Sequence, residues 1–235
     1  SDVYKRQVQQ AMKTAVVTGT NRGIGLELVK QLLDSNYIVH ATYRNEDDEL
    51  AIISNKNLHT HRLDVRDAKA LSDLSKLIGP IDLLINNAGI ADGRWSSISE
   101  IDMEHALEVL NVNSISPVLV TQKLLPNLKD NGISTVVMVS SLMGSISDCF
   151  SGKSYAYRAS KTALNMFAIA MKNELAEIGC SVLILHPGWV ETDMGGPNAP
   201  LNVVESVNGI IARIDEQNMS LTGRYVQFDG TPIEW

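Results

Sequence analysis

Short apolar runs and longer stretches of helical spacing alternate along the chain. Ala15-Val16-Val17 is a buried-strand pattern; a turn follows, and then Ile24, Leu28, Leu32 and Leu33 recur at helical spacing. The first unit therefore reads strand, turn, helix. The alternation continues with a strand at Ile38-Val39-His40-Ala41, a helix over about 47–54, a strand ending at Leu63-Asp64-Val65 and a helix over 67–77. The run Ile81-Asp82-Leu83-Leu84-Ile85 predicts another strand, ending at Asn86-Asn87-Ala88-Gly89, and a long helix is expected over about 102–128. Thr135-Val136-Val137-Met138-Val139 leads into Ser140-Ser141, a second long helix begins near Tyr157, and Val182-Leu183-Ile184-Leu185 ends at His186-Pro187-Gly188. A helix over 203–216 and a last strand near Tyr225-Val226-Gln227 complete the pattern. Strands separated by helices imply an α/β fold, a doubly wound parallel sheet with helices on both faces.

With 235 residues and 44% hydrophobic content, the chain suits one domain with a substantial core. Residues 12–235 are expected to form it. The polar, Gln-rich stretch Ser1 to Ala11 reads as an appended or disordered leader, with an ordered extension as the alternative. A net charge of −7 and the absence of a long basic cluster argue against nucleic acid or an anionic membrane as the main partner. Two cysteines, Cys149 and Cys180, make no disulfide framework and fit a reducing compartment. No apolar run reaches membrane-spanning length and the N-terminal stretch lacks the apolar core of a secretion signal, so a cytoplasmic location is the expectation.

The turn Thr18-Gly19-Thr20-Asn21-Arg22-Gly23-Ile24-Gly25 follows a strand and opens a helix, the context of a dinucleotide-binding site. Glycines let the backbone approach a pyrophosphate, and the helix N-terminus supplies N–H donors. Farther along, Tyr157 and Lys161 are four apart, which on a helix brings phenol and ammonium to one face. A cation about 4 Å away at an effective dielectric of about 20 favours the phenolate by roughly 4 kcal/mol, enough to bring a phenol from about 10 to near 7. A group titrating there suits general acid-base catalysis. His40, His59, His61, His105 and His186 show no metal-ligand spacing with cysteines or carboxylates, so no metal is expected.

These residues resemble the short-chain dehydrogenase/reductase family, over essentially Lys13 to Trp235. The glycine turn matches its TGxxxGIG, Asn86-Asn87-Ala88-Gly89 its NNAG, Tyr157-Arg158-Ala159-Ser160-Lys161 its YxxxK, and Pro187-Gly188-Trp189-Val190-Glu191-Thr192 its PG-x-V-x-T segment. Within the family, Asp148 to Ser154 and the stretches Tyr155 to Lys161 and His186 to Gly196 look most like the branch containing the C-factor and Sniffer-like carbonyl reductases. The resemblance implies a single-domain Rossmann-type fold and an NAD(P)-dependent oxidoreductase that reduces an aldehyde or ketone carbonyl, reversible toward alcohol oxidation. It implies Tyr157 as proton donor, Ser141 as hydrogen-bond partner of the same oxygen, and Lys161 on both the tyrosine and the nicotinamide ribose. Ser140 competes for the serine role. Asn113 matches the fourth catalytic position; Pro117 has no N–H for its carbonyl, which in the family holds a water of the proton relay, while a plain helix kink is the alternative. Asn111 is the near neighbour that could be confused with it.

The same resemblance places the cofactor on Gly19, Asn21, Arg22, Gly23, Ile24, Gly25, Arg44, Asp64, Val65, Asn87, Ala88, Gly89, Tyr157, Lys161, Pro187, Gly188, Val190 and Thr192. Asp64 would contact adenine, with a helix-capping role as alternative. Tyr155 reads as wall or packing, and Cys149 either borders the substrate or is incidental. Arg22 and Arg44 point to a 2′-phosphate and so to NADP(H), with NAD(H) as the other cofactor. The acidic run Glu46-Asp47-Asp48 is the contrary signal, discounted because the strand ends near Thr42 and the run fits the first turn of the next helix. A nucleotide-binding regulatory or signalling protein on the same fold is the alternative function. Homo-oligomerisation and the identity of the substrate stay open.

Overall fold

The sheet is built from strands so apolar that both faces must be covered. In the computed structural model of the protein, which describes residues 12–45, 48–128 and 134–235, the strands are β1 (Thr14–Thr18), β2 (Ile38–Tyr43), β3 (Leu58–Arg62), β4 (Leu83–Asn86), β5 (Ser134–Val139), β6 (Cys180–His186) and β7 (Arg224–Gln227). They form one parallel sheet in the order β3-β2-β1-β4-β5-β6-β7. Alternate residues feed two cores. Val17, Ile85, Val137 and Leu183 pack with α1 (Gly23–Asp34) and α7 (Val203–Glu216) on one face. Val16, Leu84, Val136 and Ile184 pack on the other with α3 (Ala68–Leu77), α5 (Ser116–Leu124) and α6 (Tyr155–Glu177). This is the expected doubly wound, Rossmann-type arrangement.

The chain winds outward from β1 through β2 to β3 and then returns to place β4 on the other side of β1. The carboxyl ends of β1 and β4 therefore diverge into a crevice, the usual ligand position in such sheets.

Two expected helices come out differently. The helix over 47–54 is a single turn, α2 (Asp48–Ala51), which inserts the fully buried Leu50. The chain then bends at Asn55, whose side chain accepts the Asn57 N–H at 2.9 Å, a turn that asparagine favours. Glu46 and Asp47 of the acidic run, like the stretch Ser1 to Ala11, lie outside the described residues. The long helix over 102–128 is broken into α4 (Met103–Leu110), a π turn at Asn111–Ile115, α5 and a 3₁₀ turn at Leu125–Asn127. Pro117 cannot donate to the Asn113 carbonyl, and the Ser116 N–H instead reaches back five residues to the Asn111 carbonyl. Pro126 sits within the closing 3₁₀ turn.

At the β2–β3 edge, His40 stacks on His59 and His61 with ring centroids 5.0 and 5.2 Å apart, and His40 Nδ1 lies 3.0 Å from His61 Nε2. Burial, then the charges of His61 and His59, pushes His40 from 6.5 down to about 4, and His61 is lowered in the same way. Between those values the unfolded chain binds protons that the folded chain refuses, so stability is full above about 6.5 and is lost as pH falls toward about 4. The unfolding free energy from urea titrations should therefore drop between pH 7 and pH 5, and His40→Gln should flatten that drop. An identical pH slope in the variant would contradict this.

Candidate active site

The crevice is lined first by backbone. The Thr18 hydroxyl accepts the N–H groups of Asn87 and Ala88 at 3.0 Å each, while the Asn87 side-chain amide donates to the carbonyls of Thr18 and Gly19, also at 3.0 Å. Gly19 adopts φ +70°, and a Cβ there would lie 2.8 Å from Ala88 Cα. A Cβ on Gly25 would collide with the Gly19 carbonyl. Only glycine fits either place. α1 then begins at Gly23 with Arg22 in the capping position, with no side-chain cap and no acidic residue in its first turn. A helix end so exposed presents positive dipole charge, and it fits a dinucleotide pyrophosphate. Asn87 itself serves the frame, since its side chain is committed to backbone carbonyls.

At the outer end of the crevice the structure gathers Arg44, Asp64 and a residue the sequence reading missed, Arg66. Asp64 is bound tightly by Arg66, with Nη2 to Oδ2 at 2.6 Å and Nε to Oδ1 at 3.0 Å, whereas Arg44 stands 3.9 Å away. The hydrogen bond from Arg66 holds the Asp64 carboxyl below its usual range. The capping role considered for Asp64 belongs to Asp67, which accepts the Lys69 and Ala70 N–H groups. Val65 follows, half-buried. Arg22 pairs with Asp193 at 2.6 Å, with both side chains largely exposed.

The expected catalytic side chains converge at the ends of β4, β5 and β6. Ser141 caps the short turn Leu142–Gly144, its hydroxyl accepting the Met143 N–H at 3.1 Å, and the same hydroxyl is near enough to the Tyr157 phenol to act on its pKa. Ser140 is committed elsewhere, donating to Asn165 Oδ1 at 2.6 Å. Lys161 is buried and donates from Nζ to the Val139 carbonyl at 2.8 Å, with its ammonium 5.7 Å from the centre of the Tyr157 ring. Asn113, wholly buried, accepts the Ile90 N–H at 2.8 Å and donates to the Ile90 carbonyl at 2.9 Å and to Ser160 at 3.1 Å. It meets Lys161 at Gly89, where a Cβ would lie 3.3 Å from Asn113 Oδ1 and 3.8 Å from Lys161 Nζ. Asn111 instead gives its carbonyl to Ser116. Tyr155 lies at the exposed start of α6.

Across the crevice the Pro187 carbonyl accepts the Ser206 hydroxyl at 2.6 Å, and Gly188 turns with φ +89°. Val190 is buried, and Thr192 Oγ1 accepts the Gly195 N–H at 3.0 Å. Thr192 reaches the glycine turn, since a Cβ on Gly23 would lie 3.4 Å from its methyl.

The phenol does not titrate near 7. Burial pushes Tyr157 up to about 12; the Ser141 hydrogen bond opposes this, while the charges of Asp92 and Tyr225 add to it. The Lys161 ammonium, 5.7 Å from the ring centre and bound to the Val139 carbonyl, does not outweigh burial. Burial also brings Lys161 down to about 8, so it keeps its charge at neutral pH. Sequence spacing brought the two residues together correctly but could not say where the ammonium would point.

Three further residues shape the site without any motif to announce them. Asp92 accepts the Tyr157 N–H at 3.1 Å, Arg94 donates to the Met194 carbonyl at 2.5 Å, and Tyr225 donates from its hydroxyl to the Ser141 carbonyl. Asp64-Val65-Arg66 carries a usable signal for Arg66, as an aspartate two residues before an arginine can bind both its N–H and its side chain.

The sequence model described as short chain dehydrogenase matches residues 13–200. The chain belongs to the short-chain dehydrogenase family. It is 41% identical over 157 residues to the C-signal of Myxococcus xanthus, covering 67% of this chain and 94% of that protein. Among solved structures it resembles the carbonyl reductase Sniffer of D. melanogaster, with 34% identity, a TM-score of 0.91, and coverage of 95% of this chain and 100% of that one. It is also similar to an NADPH-bound carbonyl reductase from chicken fatty liver, with 32% identity, a TM-score of 0.88, and coverage of 95% and 99%. Family membership makes the protein an NAD(P)-dependent oxidoreductase. Among the described residues no helix is long and apolar enough to cross a membrane.

The close packing of the cradle is testable. Gly25→Ala forces a methyl against the Gly19 carbonyl and should cost about 1–3 kcal/mol of stability, as overpacking does, together with most of the cofactor affinity. Thermal melts and a nicotinamide-cofactor fluorescence titration measure both. A variant with unchanged Tm and unchanged affinity would refute the packing argument.

Proposed function

We propose that the protein is an NADPH-dependent carbonyl reductase acting on an aldehyde or ketone, with residues 12–235 as its catalytic domain and the cytoplasm as its location. The observation that carries this reading is the convergence of Tyr157 with the buried Lys161 ammonium, 5.7 Å from its ring centre, and with the Ser141 hydroxyl, which acts to lower the phenol's pKa. When bound, the cofactor supplies the hydride. Ser141 and Tyr157 offer two hydroxyl donors to one carbonyl oxygen, where negative charge grows during reduction. A phenol at about 12 stays protonated at neutral pH, which is the state a proton donor needs. An alkoxide is a stronger base than a phenolate, so the proton moves readily to it. The Lys161 ammonium then faces the phenolate left behind, a favourable charge pair in a buried site.

Gly19, Asn21, Arg22, Gly23, Ile24 and Gly25 would hold the pyrophosphate at the open end of α1. Arg44, Asp64 and Val65, with Asn87, Ala88 and Gly89, would line the adenosine side; Pro187, Gly188, Val190 and Thr192 would border the nicotinamide. The preference for NADP(H) rests on Arg22 and Arg44. Arg44 is only weakly tied, because the short bonds of Asp64 go to Arg66. The exposed pair of Arg22 with Asp193 contributes at most about 1 kcal/mol, little against a charge-assisted bond to phosphate. The NADPH found in the chicken carbonyl reductase supports the same preference. The free thiols of Cys149, which is exposed, and Cys180 are in keeping with a reducing location.

A second reading, a nucleotide-binding regulatory or signalling protein, is favoured by the 41% identity to the C-signal. Steady-state NADPH consumption against a panel of aldehydes and ketones separates the two, because a regulator without turnover would consume none.

Removing the phenolic hydroxyl in Tyr157→Phe should reduce carbonyl turnover by about 10²–10⁴-fold and leave cofactor binding within a few-fold. Retention of more than about a tenth of the wild-type kcat would exclude Tyr157 as the acid. The double variant Arg22→Ala, Arg44→Ala should lose at least about tenfold more kcat/KM with NADPH than with NADH, because only the phosphorylated cofactor loses charge-assisted bonds. A wild-type enzyme that prefers NADH would defeat this expectation outright.

A further inference from the structure

The helix that carries Tyr157 and Lys161 begins without the usual cap. Ser154, in the capping position of α6, is left-handed with φ +47° and makes no side-chain capping bond. An acceptor arrives instead from 65 residues away. Asp92, in the segment after β4, places Oδ2 3.1 Å from the Tyr157 N–H and accepts the Arg94 N–H on Oδ1 at 2.9 Å. Asp92 is only 7% exposed. A buried carboxylate with each oxygen on a backbone N–H, at the positive end of a helix, is a built feature rather than a stray surface charge.

We propose that Asp92 is a positioning residue for proton transfer, fixing the Tyr157 backbone and, through its negative charge, holding the phenol in its protonated, donating form. This rests on Tyr157 as the acid of the proposed reaction. The groups facing the phenol from the surrounding elements are consistent with it. From α6 the Lys161 ammonium is bound to the Val139 carbonyl, and from β7 the Tyr225 hydroxyl is bound to the Ser141 carbonyl. His186, at the end of β6, is pushed down to about 4 by burial and by Lys161, so it is uncharged at neutral pH. The Arg94 guanidinium reaches out to the Met194 carbonyl. The charge of Asp92 acts on the phenol in the same direction as burial.

The test reads the phenol directly. The full chain is labelled with tyrosine carrying ¹³C at Cζ, the Tyr157 signal is assigned by its loss in Tyr157→Phe, and wild type is compared with Asp92→Asn and Asp92→Ala across alkaline pH. Asp92→Asn keeps an acceptor for the Tyr157 N–H and removes the charge. Its Tyr157 signal should begin to move about one pH unit earlier than in wild type, the order of effect of one nearby charge at an effective dielectric of about 20. Asp92→Ala loses the acceptor too, and its Tm should fall by roughly 2–4 °C, which Asp92→Asn should largely avoid. A Tyr157 signal in Asp92→Asn that moves at the same pH as wild type or later, while both retain their circular dichroism, overturns the proposal. If Asp92→Ala does not fold, Asp92→Asn still decides it. Absence of carbonyl turnover in wild type would sink the catalytic reading but leave the phenol shift readable, and turnover without the shift would sink the role of Asp92 alone.

Discussion

One hydroxyl and one side-chain amide bind the ends of β1 and β4 together, and the position of every other part of the crevice follows from that junction. Thr18 takes two N–H groups and Asn87 gives two N–H bonds, each contributing about 0.5–1.5 kcal/mol net and each costly to leave unmade in a buried place. With those bonds formed, the Gly19 backbone passes so close to Ala88 and Gly25 that no side chain can intervene. α1 must then begin directly above the junction. Its uncapped end is therefore aimed at the crevice by packing that is independent of any ligand.

The electrostatics of the phenol depend on the same geometry from the opposite side. Gly144 lets the turn after β5 approach α6 so closely that a Cβ there would lie 2.9 Å from Lys161 Cβ. The lysine is thereby drawn back to the strand end, where the Val139 carbonyl takes its ammonium. A charge held there stabilises whatever negative charge develops over the site, but it does not by itself ionise the tyrosine. Desolvation wins in the resting chain, and the result is a phenol that keeps its proton at neutral pH, the state the proposed donor role requires.

How legible this was from the sequence follows from the range of the forces involved. The strands were readable because continuous apolar runs such as Val136-Val137-Met138 must be buried on both faces, and the glycine turn was readable because backbone approach admits few residue types. The serine, tyrosine and lysine came from spacing and family resemblance together. The broken helix was half legible: Pro117 announced a defect, but the π turn that absorbs it depends on the Ser116 N–H reaching Asn111. Asp92 was invisible because its partner lies 65 residues away and its own segment has no period. The helix expected over 47–54 shortens to the single turn of α2, because the asparagines that follow hold the chain in a turn.

The adjacent serines show how one dipeptide divides two tasks. A strand alternates its side chains, so residues continuing from β5 face opposite ways. Ser140 turns into the fold and donates to Asn165, whose amide in turn reaches the Gly144 carbonyl at 3.3 Å. Ser141, also buried, faces the crevice, with its carbonyl bound by Tyr225, its hydroxyl accepting the Met143 N–H and acting on the Tyr157 phenol. The first serine thus fixes the turn to α6, and the fixed turn determines where the second hydroxyl can point. Replacing Ser140 would disturb the site through Asn165 and Gly144, whereas Ser141 directs its hydroxyl at Tyr157, and it is this difference in partners that favours Ser141 over Ser140 for the proposed donor.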